Sequence, residues 1–343
     1  MRRWHPAAGV IERTLDATGP ASGAVVMGTG IVSTALSLDG HETISRILLV
    51  MDAVMWVALA VLLPARATRD RERFLSDVRT PAALTSVAGT AVLGTRLAVL
   101  GWGWAGVALL VIALVLWAAL LMPVLAHWRT PTVGASLMLT VSTESLAVLA
   151  AVLAVREHAH WLLVAALVPF ALGLACYVFV IARFDLHQLA VGRGDHWITG
   201  GALAISTLAA ARITTGAKTL AILGNGGGVL KGLALGLWAL TMLWLPVLLL
   251  AEALRPRLHY DVRRWSTVFP VGMYAACSFA VGIAARASAI SRFARVWVWV
   301  ALAVWIAVFG AMIRRGIQAV HGDQRPAAPG SRNELASSRH RAV

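Results

Sequence analysis

Apolar stretches long enough to cross a membrane follow one another along most of this chain, separated by short polar connections. Ten of them can be delimited, at residues 20–38, 44–63, 80–100, 104–125, 131–155, 161–182, 195–213, 229–251, 265–285 and 295–313. Each is close to the length of about 20 residues that an apolar helix needs to span the hydrocarbon core. The pattern therefore predicts an all-α integral membrane protein with ten transmembrane helices.

The spans alternate in polarity, because the odd-numbered ones hold most of the Ser, Thr, Gly and Pro residues. Polar groups are costly against lipid, so the odd spans should face protein or a watery path. The alternation predicts a helical hairpin repeated five times, with an inner ring of odd helices around a pore and an outer ring facing lipid. Such a pore is expected of a protein that moves a solute across a membrane.

A proline or a pair of glycines stands early in every odd span, and proline bends a helix by removing a backbone hydrogen bond. The alternative is that Gly and Pro are simply commoner in membrane helices. The residues predicted to line or kink the path are Pro20, Gly28, Thr29, Pro81, Gly89, Thr90, Pro131, Thr143, Gly200, Gly201 and Pro270.

Composition and charge agree with a membrane location. The chain is 59% hydrophobic and 13% charged, whereas soluble proteins contain about 25% charged residues. The net charge of +14 does not indicate nucleic-acid binding, because most Lys and Arg residues lie in the connections on one side of the predicted membrane. The positive-inside rule then predicts that both termini of this plasma-membrane protein are cytoplasmic.

The chain is predicted to have three parts. Residues 1–19 form a cytoplasmic N-terminal segment that is too polar for a secretory signal. Residues 20–315 form the transmembrane domain, and residues 316–343, rich in Pro, Ser and Arg, form a disordered cytoplasmic tail. Neither a cofactor nor a metal is predicted, because the histidines lie at span ends or in loops and the two cysteines lie in different spans.

Two acidic residues fall inside apolar spans. Glu144 lies in the middle of the fifth span within a Ser/Thr cluster, and Asp52 lies in the second. A carboxylate at that depth is costly unless it is paired, hydrated or protonated, so Glu144 is a candidate proton-binding site. The alternative is a neutral Glu144 hydrogen-bonded to nearby hydroxyls. Asp52, on an outer helix, is expected to pair with the ring interior rather than to touch solute.

Three arginines follow the predicted outer ends of odd spans, against the positive-inside trend. Arg96, Arg212 and Arg286 occupy corresponding positions after spans three, seven and nine. A mouth lined by cations raises the local concentration of anions. The alternative for each arginine is ordinary snorkelling of a long side chain at a helix end.

Five segments of the odd spans resemble the tellurite-resistance/C4-dicarboxylate transporter family, which includes the plant slow-type anion channels and the fungal malate and sulfite transporters. The segments are residues 20–31 (PASGAVVMGTGI), 89–96 (GTAVLGTR), 142–147 (STESLA), 197–205 (WITGGALAI) and 265–274 (WSTVFPVGMY). Each is weak alone, but their order along the chain is fairly specific, and the resemblance covers nearly all of residues 20–315.

The resemblance implies ten helices as five hairpins in quasi-fivefold arrangement around a central pore. It also implies a homotrimer with one pore in each protomer, and transport of anions. Members of the family close the pore with a phenylalanine just before the proline of the ninth helix, which here is Phe269. Glu144 stands at a position that family members often fill with Gln, and an acid there favours proton coupling.

The sequence therefore predicts an anion-selective transporter or channel for small anions such as a C4-dicarboxylate, sulfite, a tellurite-type oxyanion or chloride. One alternative is a proton-coupled dicarboxylate carrier that uses Glu144. An alternative of another class is a membrane-embedded enzyme or binding protein. The acids and cysteines form no recognisable catalytic set, which disfavours the enzyme.

Overall fold

The computed structural model describes residues 19–191, 194–222, 224, 226–256 and 260–322, which are almost entirely helical. In chain order the helices are α1 (Gly23–Leu38), α2 (Glu42–Arg69), α3 (Arg71–Val78), α4 (Thr85–Leu100), α5 (Gly103–Ala126), α6 (Met138–Arg156), α7 (His160–Ile181), α8 (His187–Val191), α9 (Trp197–Thr219), α10 (Gly226–Leu254), α11 (Trp265–Ala285) and α12 (Ser288–Gly322). Helix α12 continues past residue 316, so the first residues assigned to the tail are helical. Residues 1–18 and 323–343 lie outside the described part of the chain.

Nine of the described helices are long and apolar enough to cross a membrane, so this is a multi-pass membrane protein. The seventh predicted span, 195–213, forms helix α9, which is not among the nine. Helix α9 is less apolar because it includes Arg212, Lys218 and several Thr and Gly residues. Most of it is buried by its neighbours.

The long helices form two layers. Helices α1, α4, α6, α9 and α11 pack against one another in that order, and α11 packs against α1, so the inner layer is a closed ring. Each inner helix also forms a hairpin with the outer helix that follows it, namely α2, α5, α7, α10 or α12. Burial follows the predicted alternation: the four inner spans among the nine are 72% to 94% buried by protein, and the five outer spans 17% to 28%.

The prolines that were predicted to kink the odd helices mostly stand at helix starts. Pro20 and Pro81 are the first residues of short 3-10 turns that lead into α1 and α4, and Pro131 precedes the turn before α6. The missing N–H of proline costs no hydrogen bond at a helix start. Pro270 alone of the four lies inside its helix. Prolines also lie inside four outer helices, at Pro64, Pro123, Pro169 and Pro246.

The glycines predicted to line the path lie instead at contacts between inner helices. A methyl group added to Gly201 would stand 2.8 Å from Cγ of Pro270, and one on Gly89 would stand 3.2 Å from the carbonyl oxygen of Gly23. Gly28 faces Trp265 and Gly200 faces Tyr274 in the same way. Close packing of helix backbones through small residues is a usual source of stability in membrane bundles.

Candidate functional site

A small cavity lies where the five inner helices meet. Its volume is about 10 Å³, close to the smallest that can hold one water molecule. Every inner helix contributes to its wall, and the pairs on α1, α4 and α6 are spaced i, i+3, which places them on one helix face. The lining residues are Ile31, Thr34, Val92, Thr95, Ser145, Val148, Ile205, Leu208, Arg212 and Met273.

Three of the four polar side chains in this wall are hydroxyls whose hydrogens are already used. Thr34 donates to the carbonyl oxygen of Gly30 at 2.9 Å, and Thr95 donates to that of Ala91 at 2.8 Å. Ser145 donates in the same way to its own helix, at 2.7 Å. A hydroxyl has a single hydrogen to donate, so towards any further group these three side chains can act only as hydrogen-bond acceptors. The hydroxyls therefore make the wall polar without offering donors.

Arg212 is the fourth polar side chain, and it differs from the rest. Its Nε and Nη2 atoms are buried and have no hydrogen-bond partner among the residues that the structure describes. None of the residues that line the cavity is acidic. The cavity wall therefore carries one cation, whose charge no lining residue neutralises.

The predicted pore-lining threonines face the outer helices instead of the cavity. The hydroxyls of Thr29, Thr90 and Thr143 each accept a hydrogen bond from a tryptophan on the outer helix of the preceding hairpin. The pairs are Trp305 with Thr29, Trp56 with Thr90, and Trp117 with Thr143, at 3.0, 2.9 and 3.0 Å. Each threonine stands two residues before a cavity residue, which is about 200° of helix rotation. The three contacts recur in register and join neighbouring hairpins.

Phe269 is buried on α11, four residues before Met273. Four residues amount to about 40° of rotation, so the two side chains share a helix face. Phe269 therefore lies one turn from the cavity, on the side of the N-terminal ends of the inner helices. Gly201 lets α9 pack against the adjacent Pro270 at this level.

The three arginines predicted to attract anions have different surroundings. Arg96 is 1% exposed and points to α2, where its Nη2 lies 2.8 Å from Oε1 of Glu42 and its Nε donates to Ser45 at 3.0 Å. Arg286 is exposed and ends α11 in a left-handed conformation, with φ of 56°. Of the three arginines, only Arg212 lines the axial cavity.

Both membrane-embedded acids are fully buried beside a glycine of another helix. A methyl group on Gly30 of α1 would stand 2.6 Å from Oδ2 of Asp52, and one on Gly173 of α7 would stand 2.7 Å from Cδ of Glu144. Neither carboxyl group has a hydrogen-bond partner within the described residues. Both lie outside the cavity wall, because Asp52 belongs to the outer helix α2 and the carboxyl group of Glu144 stands against Gly173 of the outer helix α7.

A much larger cavity, about 600 Å³, lies off the axis between α1, α2, α4 and α5. Its lining is mostly apolar, and Arg66 and Asp77 form an ion pair at one end. Predicted path residues Pro20, Gly89 and Thr90 border this lipid-side cavity. Within the described residues no group of three His, Cys, Asp or Glu side chains could hold a metal ion.

Sequence reasoning missed Thr34, Thr95 and Ser145 as cavity residues, although it gave their spans an inner position. A usable signal exists in the segments GTGIVST and GTAVLGT, where a second threonine follows the first by five residues. Five residues correspond to about 140° of rotation, so both threonines cannot face the same neighbour.

Comparison with known proteins shows which protein family this chain matches. A family model described as voltage-dependent anion channel matches residues 18–313, most of the chain. Two proteins named uncharacterized membrane proteins of Mycobacterium tuberculosis, from strains CDC 1551 and H37Rv, are each 33% identical over 142 residues. The aligned region is 39% of this chain and 71% of each relative.

Proposed function

Because the chain belongs to the voltage-dependent anion channel family, we propose that it moves small anions across the membrane along the axis of the inner helix ring. The observation that carries this proposal is the axial cavity, to which all five inner helices contribute and in which Arg212 is the charged side chain. A cation with low-dielectric walls favours anions over cations.

The arrangement in the membrane is part of the proposal. All ten long helices cross the bilayer as five hairpins in quasi-fivefold order, with α9 shielded from lipid by its neighbours. The arginine-rich connections, such as that around α3, lie in the cytoplasm together with both termini of this plasma-membrane protein. The homotrimer implied by the family resemblance belongs to the same proposal, and the mass of the purified protein in detergent tests it.

Phe269 acts as the constriction of this path. Its buried aromatic ring stands on the cavity-facing side of α11, one turn from Met273. Removing the ring by Phe269→Ala would open the path towards the N-terminal ends of the inner helices. We expect faster anion flux in proteoliposomes under an imposed voltage, measured with chloride, sulfite, malate and tellurite.

Phe279→Ala is the matched control for this experiment. Phe279 is buried on the same helix, but it stands six residues from Met273, so its side chain points about 120° away from that of Met273. Both variants lose the same ring from the same helix, so only a role in the path separates them. Equal flux from the two variants would refute the gate, and no anion flux from either variant or the wild type would refute the proposed function.

Glu144 supports a second candidate, a proton-coupled dicarboxylate carrier. Its buried carboxyl group has no partner within the described residues, so a proton is the simplest way to neutralise it. In a carrier, Glu144→Gln should abolish malate uptake driven by a pH gradient. In a passive channel the same substitution should leave voltage-driven flux unchanged, because the group lies off the axis.

A further inference from the structure

We infer that Arg212 and the axial cavity form a binding site for one small, singly charged inorganic anion of about halide size. This inference rests on the proposed function for its role in transport, but the binding itself can be measured separately. Beyond a general attraction of anions, it names the residue that binds the anion, sets the number of bound anions at one, and limits the size of the anion.

The hydrogen-bond inventory of the cavity leaves one donor group for an anion. A bound anion accepts hydrogen bonds and so needs donor groups around it. The cavity hydroxyls of Thr34, Thr95 and Ser145 already donate to backbone carbonyl oxygens of their own helices. Nε and Nη2 of Arg212 are buried without a partner in the described chain. A guanidinium offers these N–H groups in a fixed fork. An anion in the cavity would complete the hydrogen bonding that the protein leaves open.

Arg212 is only partly buried as a whole residue, but its Nε and Nη2 atoms are buried without a partner among the described residues, which is costly for a cation. Arg212 stands seven residues before the end of α9 at Thr219, which is about 10 Å of helix. Arg96, on another inner helix, meets the same difficulty through Glu42. No acid lines the cavity beside Arg212. A bound anion is therefore the counter-charge that suits this position, and it can leave as a protein carboxylate cannot.

Cavity size limits the anion that fits. About 10 Å³ is room for one water molecule, and the flexible side chain of Met273 in the wall allows a slightly larger occupant. A C4-dicarboxylate is several times larger and carries a second charge that would meet only apolar residues and acceptor oxygens. The site therefore discriminates in favour of chloride over malate.

The experiment measures anion-dependent thermal stability of the purified protein in detergent at constant ionic strength. A ligand that binds the folded state raises the unfolding temperature with its concentration. Sodium chloride should raise the unfolding temperature of the wild type relative to sodium gluconate, and sodium malate should not. The rise should disappear in Arg212→Gln, persist in part in Arg212→Lys, and remain complete in the control Arg286→Gln, whose arginine is exposed.

Several results would overturn the inference. They are an unchanged chloride effect in Arg212→Gln, no chloride effect in the wild type, or an equal effect of malate. Should Arg212→Gln fail to fold, Arg212→Met removes the same charge with a side chain of similar shape. In gluconate either neutral variant should unfold at a temperature no lower than the wild type, because an unpaired buried charge has been removed.

Flux measurements separate this inference from the proposed function. In the Phe269→Ala background, Arg212→Gln should raise the chloride concentration that gives half-maximal flux by several-fold, and Arg286→Gln should not. Flux without any chloride-dependent stabilisation would overturn the site and leave the proposed function standing. Stabilisation that depends on Arg212, without flux in any variant, would support the site and refute the proposed function.

Discussion

Two arginines on inner helices show how the surroundings of a residue decide its role. Arg96 and Arg212 both lie in the C-terminal halves of inner helices, yet Arg96 reaches outwards to Glu42 while Arg212 lines the axis. The difference arises from one partner on the outer helix α2. An arginine with a fixed carboxylate stabilises the hairpin, whereas one without a protein counter-charge is available to a mobile anion.

Glu42→Ala should therefore destabilise the protein. It leaves the Arg96 guanidinium, 1% exposed, without its carboxylate partner and with the Ser45 hydroxyl. Because Glu42 itself is 37% exposed, the loss should be on the order of 1–2 kcal/mol, less than for a fully buried ion pair. Thermal unfolding in detergent checks this. Arg46→Ala is the control, because its contact with Glu42 is solvent-exposed and such pairs contribute less than about 1 kcal/mol. Equal losses of stability in the two variants would show that the Arg96–Glu42 ion pair contributes no more than the exposed Arg46–Glu42 pair.

Helix-to-helix contacts depend on where glycine stands, not on glycine content. Gly201→Ala should destabilise the α9–α11 contact by about 1–3 kcal/mol, because the new methyl would stand 2.8 Å from Cγ of Pro270. Gly236→Ala on α10 is the matched control, since a methyl there meets nothing within 4 Å and should stabilise the helix by up to about 1 kcal/mol. Opposite shifts in unfolding temperature are expected. Gly201→Ala should also change flux, since Pro270 adjoins Phe269.

The tryptophan–threonine contacts join hairpins at three positions. Trp305→Phe keeps an aromatic side chain but removes the indole N–H whose hydrogen bond Thr29 accepts, together with part of the ring system. We expect a loss of about 1 kcal/mol, typical of polar contacts between membrane helices. Trp56→Phe and Trp117→Phe should cost similar amounts, and the losses should add because the contacts lie on separate helix pairs. Trp104→Phe, at an exposed position, should have no effect; comparable losses there would contradict this account.

The alternation of polar and apolar spans predicted which helices form the inner and outer layers, but not which face of each inner helix points to the axis. The polar odd spans proved to be the buried inner helices because polarity reports how much protein surrounds a helix. Inner helices are surrounded on every side, so Thr29 and Thr34 are both fully or nearly fully buried and look alike in sequence. Which one faces the axis depends on partners such as Trp305, more than 270 residues away along the chain. Prolines were misread for a related reason: a short 3-10 turn before a helix looks like its first turn.

At the scale of the whole molecule, two sets of hydroxyl residues on the same helices differ in whether they face the axis of the inner helix ring. Thr34, Thr95 and Ser145 line the cavity, whereas Thr29, Thr90 and Thr143 bind outer-helix tryptophans. Both sets come from α1, α4 and α6 and are almost completely buried. If anions follow the axis, only the first set lies in their path, although the two sets do not differ in depth of burial.

Single cysteines at these six positions test that separation. They are introduced into the Phe269→Ala protein after the two native cysteines are replaced, and treated with dicyanoaurate, a narrow linear anion that exchanges cyanide for a thiolate. Chloride flux should fall steeply for cysteines at residues 34, 95 and 145, because the reagent follows the same route as the conducted anion. Cysteines at residues 29, 90 and 143 should remain unmodified behind the helix backbones. Modification of the second set alone would place the anion route between hairpins, and modification of neither set would mean that anions cross elsewhere.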